Sequence, residues 1–213
     1  MRFSYHPWTS VVAAVAVWLG LLPLATMVTG VDYLVETGLV VATTGLVGLA
    51  LALLRLPRAL VFLAQVVVVG AVVWWRALAL SGAGLAEPLT TMQALVAEGV
   101  VTIRTGAAPV EPTPGLLWLI VLLTALLALV VELLVNVLEQ PAWAIAPLAL
   151  AYGIAGVTLV MDLSFVYVLP VVLGYLAVLL SATGLADQLT GKASRVGAYL
   201  VSRTQVAVAF GAV

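Results

Sequence analysis

Six long apolar stretches, the first five each closed by a charge or a proline turn, set the rhythm of this chain. The first runs over about Trp8–Thr29 and is closed by Asp32. The second covers about Thr37–Leu54 and ends at the Arg55-Leu56-Pro57-Arg58 turn. The third spans about Ala59–Trp75, ended by Arg76. The fourth covers about Gly115–Leu138 and is followed by Glu139-Gln140-Pro141. The fifth runs over about Ala142–Met161, followed by Asp162, and the sixth over about Leu163–Ala182. Crossing the hydrocarbon core of a bilayer takes roughly 20 apolar residues of α-helix, with about 17–25 observed. The pattern therefore predicts an all-α polytopic transmembrane helical bundle with six complete spans. After a polar stretch, Thr183–Thr204, the segment Gln205–Val213 turns apolar again. Nine apolar residues do not cross a membrane, so either a seventh span begins here in a chain cut from something longer, or the tail lies in the interface. The first reading divides the chain into a six-span bundle over 1–204 and the start of a truncated seventh span over 205–213. At the other end, Arg2 precedes an uncharged run from Pro7 to Val31, well beyond the roughly 7–15 residues of a signal-peptide core. With no small-x-small cleavage site following, it reads as a retained span.

Between the third and fourth stretches lies the one sizeable extramembrane segment on the outer side, Ala77–Pro114. Leu89, Met92, Leu95 or Val96, Val100 and Ile103 recur there at helical spacing. Thr90, Thr91, Gln93, Glu98, Thr102 and Arg104 occupy the other face. Pro88 suits a first helical turn and Gly106 a C-terminal stop. The spacing predicts an amphipathic helix over about 88–105, lying at the outer interface, capping the bundle or meeting a partner.

Composition places the solvent. Of 213 residues, 65% are hydrophobic and 8% charged, and the mean hydropathy is +1.28. A soluble domain carries about 25% charged residues, so most of this surface faces lipid. The net charge of −1 offers no basic stripe for nucleic acid. The absence of cysteine removes disulfides, thiolate nucleophiles and Cys-based metal sites. Seven arginines against one lysine, amid abundant Ala, Val, Leu and Gly, point to a GC-rich bacterial genome.

The charges also orient the bundle, since cytoplasmic loops carry the excess of Lys and Arg. With the N-terminus cytoplasmic, the inner segments hold Arg2, Arg55, Arg58, Lys192, Arg195 and Arg203. The outer ones hold Arg76 and Arg104, with Asp32, Glu36, Glu87, Glu98, Glu111 and Asp162. Tyr5, Trp8, Trp74, Trp75, Trp118 and Trp143 fall near span ends, as interfacial aromatic belts require. Trp18 and Tyr152 fall mid-span and are expected to find partners inside the bundle. The expected location is a bacterial plasma membrane.

Candidate chemistry is sparse. Glu132 and Asn136 lie four apart near the end of the fourth span, on one helical face that must look inward. A charged side chain at the centre of a membrane helix costs about 2.5–3.5 kcal/mol on insertion scales. The pair reads either as a proton or cation site, or as a structural Glu hydrogen-bonded to Asn136 and hydrated from the inner interface. Gln65 reads as a lone inward residue of the third span, explained by interhelical hydrogen bonding. Ala142/Ala146, Ala149/Gly153 and Thr44/Gly48 read as close-packing faces. Pro23 and Pro170 are expected to bend their spans. His6 is the single histidine, so neither a His-metal cluster nor a Ser-His-acid triad assembles. No phosphate-cradling glycine loop follows a strand. No catalytic residue, metal ligand or cofactor is expected.

Several features together resemble a known family. The third span ends in Trp-Trp-Arg and leads through an outer loop to Ala108-Pro-Val-Glu-Pro-Thr-Pro-Gly-Leu116. A leucine-rich span with an acid in its second half follows, then a Gln-Pro-Ala turn and an Ala/Leu/Tyr-rich span. This arrangement resembles the N-terminal membrane domain of actinobacterial TgpA-type transglutaminase-like membrane proteins. The resemblance implies an extracytoplasmic transglutaminase-like domain with a Cys-His-Asp triad downstream of Val213. It also implies a MoxR-type AAA ATPase and a von Willebrand A-type protein as partners, and assigns no functional residue to this chain. The expected role is a non-catalytic membrane-anchoring domain of a larger cell-envelope protein. The rivals are a small transporter or channel subunit, lined by Glu132, Asn136, Gln65 and Asp162, and an assembly subunit that packs laterally on a larger membrane complex.

Overall fold

The computed structural model describes residues 8–82, 88–106, 109–158 and 165–183. Among them every regular element is helical: α1 (Thr9–Leu21), α2 (Asp32–Leu53), α3 (Arg58–Ser81), α4 (Pro88–Thr105), α5 (Pro114–Glu132), α6 (Ile145–Thr158) and α7 (Val168–Thr183). Short 3₁₀ turns precede or follow several of these helices, and a π-helical turn, Leu133–Val137, prolongs α5. The expectations over Arg2, Tyr5, His6, Glu87, Asp162, the polar stretch with Lys192, Arg195 and Arg203, and the seventh span lie outside the described residues.

Four helical stretches are long and apolar enough to cross a membrane: Thr9–Thr26, Asp32–Leu53, Arg58–Ser81 and Pro114–Val137, of 18, 22, 24 and 24 residues. Pro141–Ile154 and Val168–Ala182 are apolar but shorter. At 1.5 Å per residue, 18–24 residues extend roughly 27–36 Å, close to the roughly 30 Å hydrocarbon core. Much of the outer surface is apolar, with Leu60, Leu63, Val67, Leu126, Leu150 and Leu173 all exposed. Such a surface suits lipid and not water.

Helix ends follow local chemistry. Pro23 sits in the first turn of the 3₁₀ segment Leu22–Thr26, where α1 stops. Arg55, with φ 57°, adopts the left-handed conformation that ends α2 before Pro57. Gly82, with φ 62°, does the same for α3, where a residue without Cβ is favoured. Thr113 caps α5 by accepting from Leu116 N–H at 3.3 Å, with Pro114 in the first turn.

α5 is the axis of the packing. One face joins Leu116, Leu117, Ile120, Leu127, Ala128 and Val131 to α1, α6 and α7 around Val17, Leu21, Leu148 and Val178. The other face joins Trp118, Val121 and Ala125 to Val40 of α2, Val69 and Val73 of α3 and Leu95 of α4. α4 crosses α5 at two glycines. A Cβ on Gly115 would lie 2.5 Å from Leu95 O and 2.6 Å from Gly99 N, so only glycine permits this approach. Hydrogen bonds from Val110 N to Met27 O (2.8 Å) and from Thr29 N to Val110 O (3.0 Å) tie the segment after α4 to the end of the first helical stretch.

Three packing expectations are corrected. Trp118 is buried in the core, 4% exposed, with Nε1 directed at Val73 O at 3.4 Å, instead of lying in an aromatic belt. Of the apolar stripe expected on α4, Leu95 is buried and Met92 and Val100 are half-buried, joined by buried Gly99 and half-buried Thr102, while Leu89, Val96 and Ile103 are exposed. In α6 and the turn before it, the buried positions are Pro141, Ala144, Pro147, Leu148 and Ala151, whereas Ala142, Ala146 and Ala149 are exposed.

Candidate functional site

Polar groups buried in an apolar bundle must find partners, because an unpaired one costs about 1–3 kcal/mol in proteins. Most buried hydroxyls here do so locally. Thr37, Thr44 and Thr124 donate to the carbonyls of Tyr33, Val40 and Ile120, four residues back, at 2.7–2.9 Å. These hydroxyls are consumed within their own helices.

Ser10, Gln65, Glu132 and Asn136 are different. All four are buried, with Ser10 and Gln65 0% and Glu132 1% exposed. They lie on three separate stretches of chain and meet through side-chain hydrogen bonds. Ser10 Oγ donates to Glu132 Oε1 at 2.6 Å. Gln65 Nε2 donates to the same oxygen at 3.1 Å and to Thr44 O at 3.0 Å. Asn136 Nδ2 donates to Ser10 Oγ at 3.2 Å. One carboxylate oxygen thereby joins α1 to α3 and α5, and Gln65 links α2 to them.

The local folds explain how the residues arrive there. Ser10 shares a face of α1 with Ala13, Ala14 and Val17, all buried, so it is carried inward by the stripe that packs α1. Gly48 clears the space: a Cβ there would sit 2.5 Å from Gln65 Nε2 and 2.6 Å from Ser10 Cβ. The π-helical turn adds a residue to the end of α5, with Leu138 N bonded to Leu133 O at 2.9 Å, five residues back. Gln140 N then bonds Leu134 O at 2.8 Å, and Glu139 closes the turn with φ 56°.

Gln65 is not the lone residue its sequence context implied; it belongs to the Glu132 cluster. Asn136 is buried beside Glu132 as expected, and its amide also reaches across to Ser10. Ser10 and the Thr44 carbonyl escaped sequence reasoning. A serine two residues into a span reads as interfacial, and a backbone carbonyl carries no sequence signal. The one available cue was the small-residue stripe that Ser10 begins. Trp18, in contrast, was expected to find a partner, and its buried Nε1 has none among the described residues.

Two ion pairs lie outside the cluster, toward opposite helix ends. Arg58 meets Glu139 at the end where α3 begins. Arg76 grips Glu36 with Nε and Nη2 at the opposite end, and its guanidinium lies 5.3 Å from the Trp75 ring centroid. Among the described residues no group of three or more His, Cys, Asp or Glu side chains could hold a metal ion. Two surface crevices are lined by Val11, Ala14, Val41, Ala42 and Gly45 and neighbours, and by Met27, Val28, Thr102, Ile103 and Val110 and neighbours. Neither includes a member of the cluster.

No protein-family model matches this chain, and neither a curated protein nor a solved structure matches it.

Proposed function

We propose that this chain is the membrane-embedded anchor of a larger bacterial cell-envelope protein, without catalytic apparatus of its own. In this reading the two shorter apolar helices also cross the bilayer, making six spans with the N-terminus cytoplasmic and α4 on the outer side. A seventh span that begins at about Gln205 carries the chain outward to a transglutaminase-like domain, as the TgpA-type resemblance implies. A MoxR-type ATPase and a von Willebrand A-type protein are the partners that resemblance suggests.

The observation that carries the proposal is how the buried polar residues are used. Ser10, Gln65, Glu132 and Asn136 bond chiefly to one another and to a backbone carbonyl, stapling α1, α2, α3 and α5. A translocation path needs polar groups facing an opening, whereas a rigid anchor needs them spent on each other.

Two measurements test it. Antiserum against the α4 segment should detect, in membranes of the native cell, a protein much larger than the 22.1 kDa of this chain. A band at that mass would overturn the anchor reading. Cysteines introduced at Gly84 and Ser194 should label from opposite sides of intact cells, only the former by an impermeant reagent. Reversed labelling would overturn the topology.

A further inference from the structure

We propose that Glu132 is held in the bundle as a neutral carboxylic acid, a single-proton site whose Oε2–H is donated to Gln65 Oε1. The assignment stands on the hydrogen-bond inventory of the cluster and holds whether or not the bundle anchors a further domain.

The inventory closes on one proton. Gln65 spends one amide hydrogen on Thr44 O and the other on Glu132 Oε1. Glu132 Oε1 accepts from both Ser10 Oγ and Gln65 Nε2, filling its two lone pairs. Two acceptors are left without a partner among the described residues, and they belong to these same two side chains: Gln65 Oε1 and Glu132 Oε2. Turning the amide over does not help. It would set Gln65 Oε1 against the Thr44 carbonyl, which can only accept, so the orientation of Gln65 is determined by its surroundings. A hydrogen on Glu132 Oε2 completes an acid–amide pair: the amide N–H donates to the acid carbonyl, and the acid O–H donates to the amide carbonyl. Both orphan acceptors are satisfied at once.

An ionised Glu132 fits poorly. It would be a full negative charge at 1% exposure with neutral partners only, while Arg58, at the same end of α3, is engaged by Glu139. A metal cation fits no better, because hard cations gather about six or more oxygen ligands. Here Glu132 Oε1 already accepts two hydrogen bonds, and the two acceptors left over, Gln65 Oε1 and Glu132 Oε2, fall far short of that number. The proton acts as a latch: without it, Glu132 Oε2 and Gln65 Oε1 stay two buried acceptors with no donor, and the tie between α3 and α5 weakens.

Infrared spectroscopy of the full chain in lipid nanodiscs at neutral pH tests the assignment. The wild type should show a carboxylic-acid C=O stretch that shifts down in D₂O and is missing from Glu132→Gln. Gln65→Met should move that band up, by removing its hydrogen bond; Gln65→Asn, which withdraws the amide by one methylene, serves if the Met variant does not fold. Absence of the band, its survival in Glu132→Gln, or its indifference to both Gln65 variants would overturn the proposal. So would its replacement by a carboxylate band on adding sodium. Glu132→Gln should fold as well as the wild type, since an amide supplies the same donor and acceptor as the neutral acid. A misfolded Gln variant would also count against it.

Discussion

Adding one methyl group at Gly48 should loosen the whole bundle. An alanine Cβ there would lie 2.5 Å from Gln65 Nε2, 2.6 Å from Ser10 Cβ and 2.7 Å from Ser10 Oγ. Ser10 is seated on α1 and cannot retreat without moving that helix. Gln65 is the end of a flexible side chain, but retreat breaks its bonds to Thr44 O and Glu132 Oε1. Each lost bond is worth about 0.5–1.5 kcal/mol net, and buried groups left unpaired cost about 1–3 kcal/mol. If the helices part instead, overpacking costs about 1–3 kcal/mol. Against either outcome, alanine is favoured over glycine inside a helix by about 0.8–1 kcal/mol. By the cheaper route, overpacking less the helix gain, the balance is a loss of about 0–2 kcal/mol.

Gly70 supplies the control. It lies inside α3, and a Cβ there would meet nothing within 4 Å. Gly70→Ala should therefore be neutral or stabilising by up to about 1 kcal/mol. Unfolding of both variants in detergent, followed by circular dichroism, gives the comparison. Gly48→Ala combined with Gln65→Ala should be non-additive, because the second change removes one of the atoms that clashes. Equal stability of Gly48→Ala and Gly70→Ala would refute the packing described here.

Other outcomes follow from the same contacts. Gly115→Ala should detach α4 from α5, since the added Cβ meets backbone atoms of Leu95 and Gly99 that cannot turn aside; limited proteolysis between residues 83 and 106 should accelerate. Arg76→Met, which leaves Glu36 unpaired where the two side chains are 17% and 14% exposed, should cost about 1–3 kcal/mol, between values for surface and fully buried pairs. Arg58→Met, at the more exposed pair with Glu139, should cost less than about 1 kcal/mol after solvent screening; thermal unfolding of the two variants side by side checks the order. Glu132→Leu should cost about 1–3 kcal/mol by leaving the Ser10 hydroxyl and one Gln65 amide hydrogen without an acceptor.

The helices were legible because lipid imposes a one-dimensional rule. Backbone polar groups in hydrocarbon must bond within the segment, so a long apolar run is a helix almost regardless of its details. The same rule explains why the ends were read less well. α2 begins at Asp32, five residues before the apolar run suggested, and α3 continues to Ser81 past Arg76. Charged residues inside these helices are held by the Glu36–Arg76 pair, and hydropathy cannot see a pairing between residues 40 positions apart. Which face turns inward was read least well. In water, polarity marks the outside of a helix; in lipid both faces are apolar, so Ala146 and Ala144 carry the same signal although one is exposed and the other buried.

The polar cluster tests that limit most severely. Glu132 and Asn136 were visible as a pair because a helix places residues four apart on one face. Even here the α-helical spacing was only an approximation, since Asn136 lies in the π-helical turn and its amide is aimed at Ser10. Ser10 and Gln65 stand 122 and 67 positions from Glu132, and nothing local to either announces the contact. What does announce it, in retrospect, is scarcity. A buried hydrogen-bonding side chain in lipid has very few places to be satisfied, so the few such residues in a bundle are driven toward one another. Thr37, Thr44 and Thr124 escape that pressure by bonding their own helices, which short β-hydroxyl side chains can do. Glutamine and glutamate reach too far from their own backbone for that solution. In a membrane chain with this few long polar side chains, the residues that cannot satisfy themselves locally are the ones whose long-range partner should be sought among each other.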